Sequence, residues 1–158
     1  MATAATTTSS RDWGALAGFV LAVTAAAVLA GQFMPGEWYR ALAKPSWNPP
    51  NWLFGPVWTV LYVMIAIAGW LAWRAGAKTA LGVWTAQLGL NALWSYLFFG
   101  QKLIGTALID VTLLLVSIIA FIITAWPHTR AAALLFVPYA AWVSFATALN
   151  AAIYWLNR

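Results

Sequence analysis

Residues 103–126 read LIGTALIDVTLLLVSIIAFIITAW, and this stretch decides the fold. A helix needs about 17–25 apolar residues to cross a hydrocarbon core of about 30 Å, and this segment meets that length. It holds one charged residue, Asp110, and its polar and apolar positions do not alternate as a membrane strand requires. Similar stretches run from Trp13 to Met34, from about Pro56 to Trp73, from Thr79 to Phe99 and from Ala131 to Leu156. Composition agrees: 64% of the 158 residues are hydrophobic and 7% are charged, against about 25% charged in an ordinary soluble domain. The expectation is an all-α integral membrane bundle of five transmembrane helices, forming one domain over residues 1–158.

The charges punctuate this pattern. Arg11 and Asp12 precede the first stretch, Arg74 and Lys78 separate the second from the third, and Lys102 separates the third from the fourth. Pro127, His128 and Arg130 separate the fourth from the fifth. These short connections make sequential helices antiparallel neighbours. Residues 1–10, rich in Ala, Thr and Ser, are expected to be flexible. The first apolar run is longer than the about 7–15 residues of a signal-peptide core, so it is read as a span. Orientation stays open. Arg11, Arg74, Lys78 and Arg130 fall on one side, and Arg40, Lys44, Lys102 and Arg158 fall on the other, so the positive-inside rule is tied.

The net charge of +5 is scattered, with no basic run or helix face, so it points to membrane anchoring and not to nucleic acid. The chain has no cysteine and a single histidine, His128, so no metal site is expected. No Ser/His/Asp set, phosphate loop or dinucleotide motif is present. A proton-coupled exporter would need a central membrane-embedded Glu, which the chain lacks.

The segment 35–55 is the one long connection. Trp38, Tyr39 and Leu42 can share a face of a short helical turn, and Pro45, Pro49 and Pro50 restrict the backbone around Trp47 and Trp52. Two readings fit the spacing: a rigid cap over one end of the bundle, or an interfacial belt of aromatic anchors.

On the third stretch, at about 100° per residue, Gln87, Asn91, Trp94 and Phe98 share one face, and Gly82, Ala86 and Gly89 take the opposite one. The two amides serve either as interhelical glue or as the polar groups of a pocket. The small-residue face lets another helix approach, which predicts a homodimer through this span. On the fifth stretch Tyr139, Trp142, Ala146 and Asn150 form a stripe, and Pro138 should kink the helix. Trp58, Tyr62, Ile65 and Gly69 make a comparable stripe on the second. Three stripes could converge on one apolar, aromatic cavity suited to a planar hydrophobic ligand, with Arg40 or Lys44 at its mouth. Asp110 is expected to pair locally with Lys102.

Several blocks resemble one family. They are Trp38-Tyr39, Lys44-Pro45-Ser46-Trp47-Asn48-Pro49-Pro50, Gly55-Pro56-Val57-Trp58-Thr59-Val60-Leu61-Tyr62, Ala86-Gln87-Leu88-Gly89-Leu90-Asn91 and Leu97-Phe98-Phe99-Gly100. Leu135 to Trp142 and Phe145 to Asn150 complete the set. In this order and spacing they resemble the tryptophan-rich sensory protein and translocator protein family. The resemblance implies a five-helix bundle, usually dimeric, with a ligand pocket under the first loop. It implies porphyrins such as protoporphyrin IX, haem or its pathway intermediates, sterols, or benzodiazepine-type compounds as ligands, and no required cofactor. By position the family's pocket residues fall on Tyr39, Pro49, Trp58, Gln87, Asn91, Trp94, Trp142 and Ala146. It also carries an alternative, light-dependent degradation of bound protoporphyrin, in which Trp58 and Trp142 would take part. Leu149, Tyr154 and Arg158 satisfy a loose sterol-motif spacing. The position matching the family's sterol-motif tyrosine is Ala151, however, a departure that with the short tails points to a member from a bacterial cell envelope.

Overall fold

The computed structural model describes residues 9–158, which are helical throughout apart from turns and the long loop. α1 (Ser10–Gly31) is followed by the short α2 (Glu37–Ala41) and a 3-10 turn at Asn51–Leu53. Then come α3 (Phe54–Arg74), α4 (Lys78–Ser95) with a π-helical turn at Tyr96–Gly100, α5 (Ile104–Ala125), α6 (Arg130–Leu135) and α7 (Val137–Leu156). Four helical stretches are long and apolar enough to cross a membrane: Ser10–Gly31, Asn51–Arg74, Ile104–Ala125 and Arg130–Leu156. The expected count of five therefore stands at four by length and apolarity. The third stretch forms α4, only 18 residues long, and its apolar character is diluted by Thr79, Thr85, Gln87 and Asn91.

The first helix begins earlier than expected. Ser9 and Ser10, assigned above to a flexible tail, start α1: the Ser9 hydroxyl accepts from the Asp12 N–H, and the Asp12 carboxylate accepts from the Ser9 N–H at 2.9 Å. This reciprocal box satisfies two donors that a helix start otherwise leaves bare. The rest of the expected tail, residues 1–8, lies outside the described residues.

The fifth stretch is interrupted at Phe136, two residues before Pro138. Pro138 has no N–H to offer the Leu134 carbonyl, and the chain turns at Phe136, whose N–H is directed at the carbonyls of Ala133 and Leu134. Val137–Leu156 then restarts as a helix with the proline in its first turn, where the missing N–H costs nothing.

The core forms where small residues let helices meet. Ile65, Ala68 and Ala72 of α3 are fully buried with Ile118 and Phe121 of α5, and Phe121 lies 4.0 Å from Phe136 between ring centres. Gly69 of α3 is required by close approach. A Cβ there would sit 2.6 Å from Trp84 Cε2 of α4 and 2.8 Å from Phe19 Cδ1 of α1. Trp84 in turn donates its indole N–H to the Ile65 carbonyl at 2.8 Å. With no water in the bilayer core, contact and satisfied polar groups hold such helices together.

Candidate functional site

The 35–55 loop is tied down over one end of the bundle. Tyr39, on α2, is buried against Phe98 and Phe99 of the π-helical turn, at 6.1 and 5.4 Å between ring centres. Burial pushes the Tyr39 hydroxyl pKa above the ordinary tyrosine value. Its hydroxyl reaches Asn48 Oδ1 at 3.5 Å, and the Asn48 amide donates to the Pro49 carbonyl at 3.0 Å. Lys44 Nζ donates to the carbonyls of Arg40 and Leu42 and lies 4.6 Å from the Tyr39 ring centre. Asn157, just past α7, clamps the loop at two points: its Oδ1 accepts from the Ala43 N–H and its Nδ2 donates to the Ala43 carbonyl, both at 2.9 Å. Of the two tryptophans that the prolines flank, Trp47 packs edge-on against Phe145 of α7, whereas Trp52 is 71% exposed. Trp52 does not cover the bundle. It sits on a 3-10 turn at the start of α3 that carries it outward.

Beneath the loop the three stripes meet, but on a filled interior. Tyr62 of α3 donates to Asn91 Oδ1 at 2.9 Å, Asn91 Nδ2 donates to the Tyr139 hydroxyl at 2.8 Å, and Tyr139 donates to Gln87 Oε1 at 2.9 Å. The chain of donors runs one way and ends on Gln87 Oε1, and the Nε2 of the same amide is buried with no partner among the described residues. Trp58 lies against this network, 5.4 Å from Tyr62 and 6.2 Å from Tyr139 between ring centres. Trp58, Gln87 and Asn91 are thus brought together. The expected open cavity at the amides is instead occupied by two tyrosine hydroxyls.

Trp94 belongs to a neighbouring cluster. It stacks on Phe98 at 5.0 Å and donates its indole N–H to Asn150 Oδ1 at 3.0 Å, while Asn150 Nδ2 donates to the Ile104 carbonyl at 3.0 Å. Tyr39 joins it through Phe98, with Pro49 in the loop beside it. Trp142 stands apart, 5.7 Å from Phe54 and 5.5 Å from Phe145, and walls an open, almost purely apolar groove of about 620 Å³ between α3 and α7. Pro56, Val60 and Met64 line one side of the groove, and Pro138 and Phe145 line the other with Trp142. Ala146, half-buried one turn on from Trp142, does not line it. The partners Tyr62, Tyr139 and Asn150 lie on the predicted stripes but were missing from the candidate set. Their place on the polar-aromatic stripes was the available signal, while the cross-helix bonds were not visible in it.

One expectation fails here. Asp110 does not pair with Lys102. Its carboxylate is buried on α5 with Oδ2 unpartnered, and Lys102, at φ 59°, turns its ammonium toward the Trp38 ring, 5.9 Å from its centre. The three residues of the loose sterol spacing have separate surroundings. Leu149 is buried, Tyr154 packs against Gly105, and the Arg158 guanidinium lies 3.4 Å over Trp155. Among the described residues no three His, Cys, Asp or Glu side chains gather where a metal could bind. The side chains gathered at the site offer aromatic surfaces and hydrogen-bonding groups.

These features define an α-helical membrane protein with a clamped aromatic loop over a polar, tyrosine-filled interior. A profile of the TspO/MBR family matches residues 18–156. The chain is 43% identical over 145 residues to the tryptophan-rich protein TspO of Archaeoglobus fulgidus, covering 87% of this chain and 94% of that one. It is 39% identical to the tryptophan-rich sensory protein of Cereibacter sphaeroides, over 88% of this chain and 89% of that one. Against the human translocator protein the identity is 37%, over 87% of each. The chain belongs to the TspO/MBR family.

Proposed function

We propose that the protein is a membrane receptor or sensor for planar, largely hydrophobic ligands of the tetrapyrrole class, protoporphyrin IX or haem among them. The observation that carries this is the placing of Trp58 against the Tyr62–Asn91–Tyr139–Gln87 network, with the unpartnered Gln87 Nε2 as a free donor inside. A flat macrocycle can stack on the indole, with the tyrosine side chains moving aside to let its polar edge accept from Gln87 Nε2. Tyr39, Pro49, Trp94, Trp142 and Ala146 bound the same end of the bundle and complete the proposed site. The relatives' names, sensory protein and translocator protein, fit this class of role.

In this reading α4 crosses the membrane as the fifth span, because its polar residues Gln87 and Asn91 turn inward and its other faces meet lipid or a second copy. That second copy would meet Gly82, Ala86 and Gly89. All are exposed on α4, and a Cβ built at either glycine meets nothing within 4 Å. The protein is then a multi-pass homodimer of the cell envelope.

The test is absorption of protoporphyrin IX mixed with purified protein, in light and in darkness. A stable, saturable shift in both supports a receptor. Protein-dependent bleaching into a new species in light would replace this reading with the degrading one, and the absence of any shift would remove both.

A further inference from the structure

The end of the bundle opposite the loop carries a second, polar groove of about 510 Å³, lined by Ser9, Arg11, Asp12, Trp73 and Arg74. Its two walls are pinned together. The Trp70 indole N–H of α3 donates to the Asp12 carbonyl of α1 at 2.9 Å, and Gly69 beside it lets Phe19 of α1 approach α3 closely. Arg11 and Arg74 are therefore held on facing helices. Each guanidinium lies over an indole: Arg11 5.8 Å from the Trp73 ring centre, Arg74 4.9 Å from that of Trp70.

The charge there is only partly compensated. Only three acidic residues exist in the chain. Glu37 sits in α2 and Asp110 in α5, which leaves Asp12 as the carboxylate at this end. Its Oδ2 is engaged by the Ser9 N–H at 2.9 Å and the Ser9 hydroxyl at 3.3 Å, and its Oδ1 lies 3.9 Å from Arg74 Nε, near the limit of an ion pair. Arg11 meets no carboxylate among the described residues, and residues 1–8 contain no acidic side chain. Two guanidinium forks thus stand beside one carboxylate that contacts only Arg74 and is otherwise taken up by Ser9. Such forks match phosphate oxygens geometrically, and a guanidinium resting on an aromatic face loses little freedom on binding. Exposed Trp13 and half-buried Trp70 and Trp73 place the groove at headgroup depth, where indoles settle.

We propose that Arg11 and Arg74 hold the phosphate of an anionic membrane lipid in this groove, a headgroup site between α1 and α3. It is independent of the ligand site under the loop.

The test uses the full chain in vesicles of phosphatidylcholine containing a minor fraction of phosphatidylglycerol, with retained lipids counted by native mass spectrometry after mild detergent release. Phosphatidylglycerol should be enriched over phosphatidylcholine. Each basic residue near an anionic surface contributes about fivefold. Arg11→Gln should thus lower the enrichment about fivefold and Arg11→Gln with Arg74→Gln about 25-fold, while Arg11→Lys keeps much of it and Arg158→Gln at the other end leaves it unchanged. Arg11→Gln leaves the Asp12–Arg74 pair in place, so it decides the matter even if the double variant folds poorly. Unchanged enrichment in Arg11→Gln, or an equal loss in Arg158→Gln, overturns the site. Inorganic phosphate added to delipidated protein should protect against thermal unfolding far less than phosphatidylglycerol; equal protection overturns the lipid assignment.

Discussion

Tyr139 accepts from Asn91 and donates to Gln87, so one hydroxyl bridges two amides of a different helix. Removing it strands both in a water-free interior. Tyr139→Phe is expected to lower stability by about 1–3 kcal/mol, the cost of buried polar groups left unmet. Tyr62→Phe removes one bond to Asn91 and should cost about 0.5–1.5 kcal/mol. Thermal unfolding of both variants in the same detergent checks the order, and equal losses would contradict it. The amides' shared face followed from helical spacing alone. Their partners did not, because hydrogen bonds between α4 and α7 depend on how far each helix is turned about its axis. Asp110 shows the same gap. Sequence distance put Lys102 within reach, but the left-handed backbone at Lys102 sends its side chain to Trp38.

At the scale of elements, α1, α3 and α4 meet at Gly69. Gly69→Val would drive a branched side chain into Trp84 and Phe19 and also disturb the Trp84 bond to the Ile65 carbonyl. Overpacking of this kind costs about 1–3 kcal/mol, whereas Gly18→Val, in open space on α1, should change unfolding far less. The loop offers a second test. Asn157 fastens Ala43 at two points, and Pro45, Pro49 and Pro50 limit the backbone beyond. Replacing the three prolines with Gly should weaken porphyrin binding through added ordering cost while helical content stays unchanged; unchanged affinity would count against a preformed cap. Helix positions were legible because lipid demands long apolar runs, and the kink near Pro138 because proline lacks a donor. The anchoring of the loop was not, since Asn157 lies far from Ala43 in the chain. Nor did the Ala-, Thr- and Ser-rich segment before Arg11 show that Ser9 and Asp12 would cap the helix.

For the whole molecule, the five-span reading places the chain termini on opposite sides of the membrane. Reporters fused at each end should respond from opposite compartments, and a shared compartment would mean that α4 does not cross. The proposed dimer rests on the open face of Gly82, Ala86 and Gly89, so Gly82→Leu with Ala86→Leu should abolish cross-linking in lipid. Persistent cross-linking would move the interface elsewhere. The claim that joins these scales is that Trp58 and the network beside it form a tetrapyrrole site. The most direct measurement is titration of protoporphyrin IX against wild type and Trp58→Phe, followed by quenching of protein fluorescence in darkness. One aromatic contact is worth about 0.5–1.5 kcal/mol beyond its area. The account predicts saturable binding to wild type and an affinity about two- to tenfold lower in Trp58→Phe. Unsaturable quenching, or the same affinity in both proteins, would contradict it.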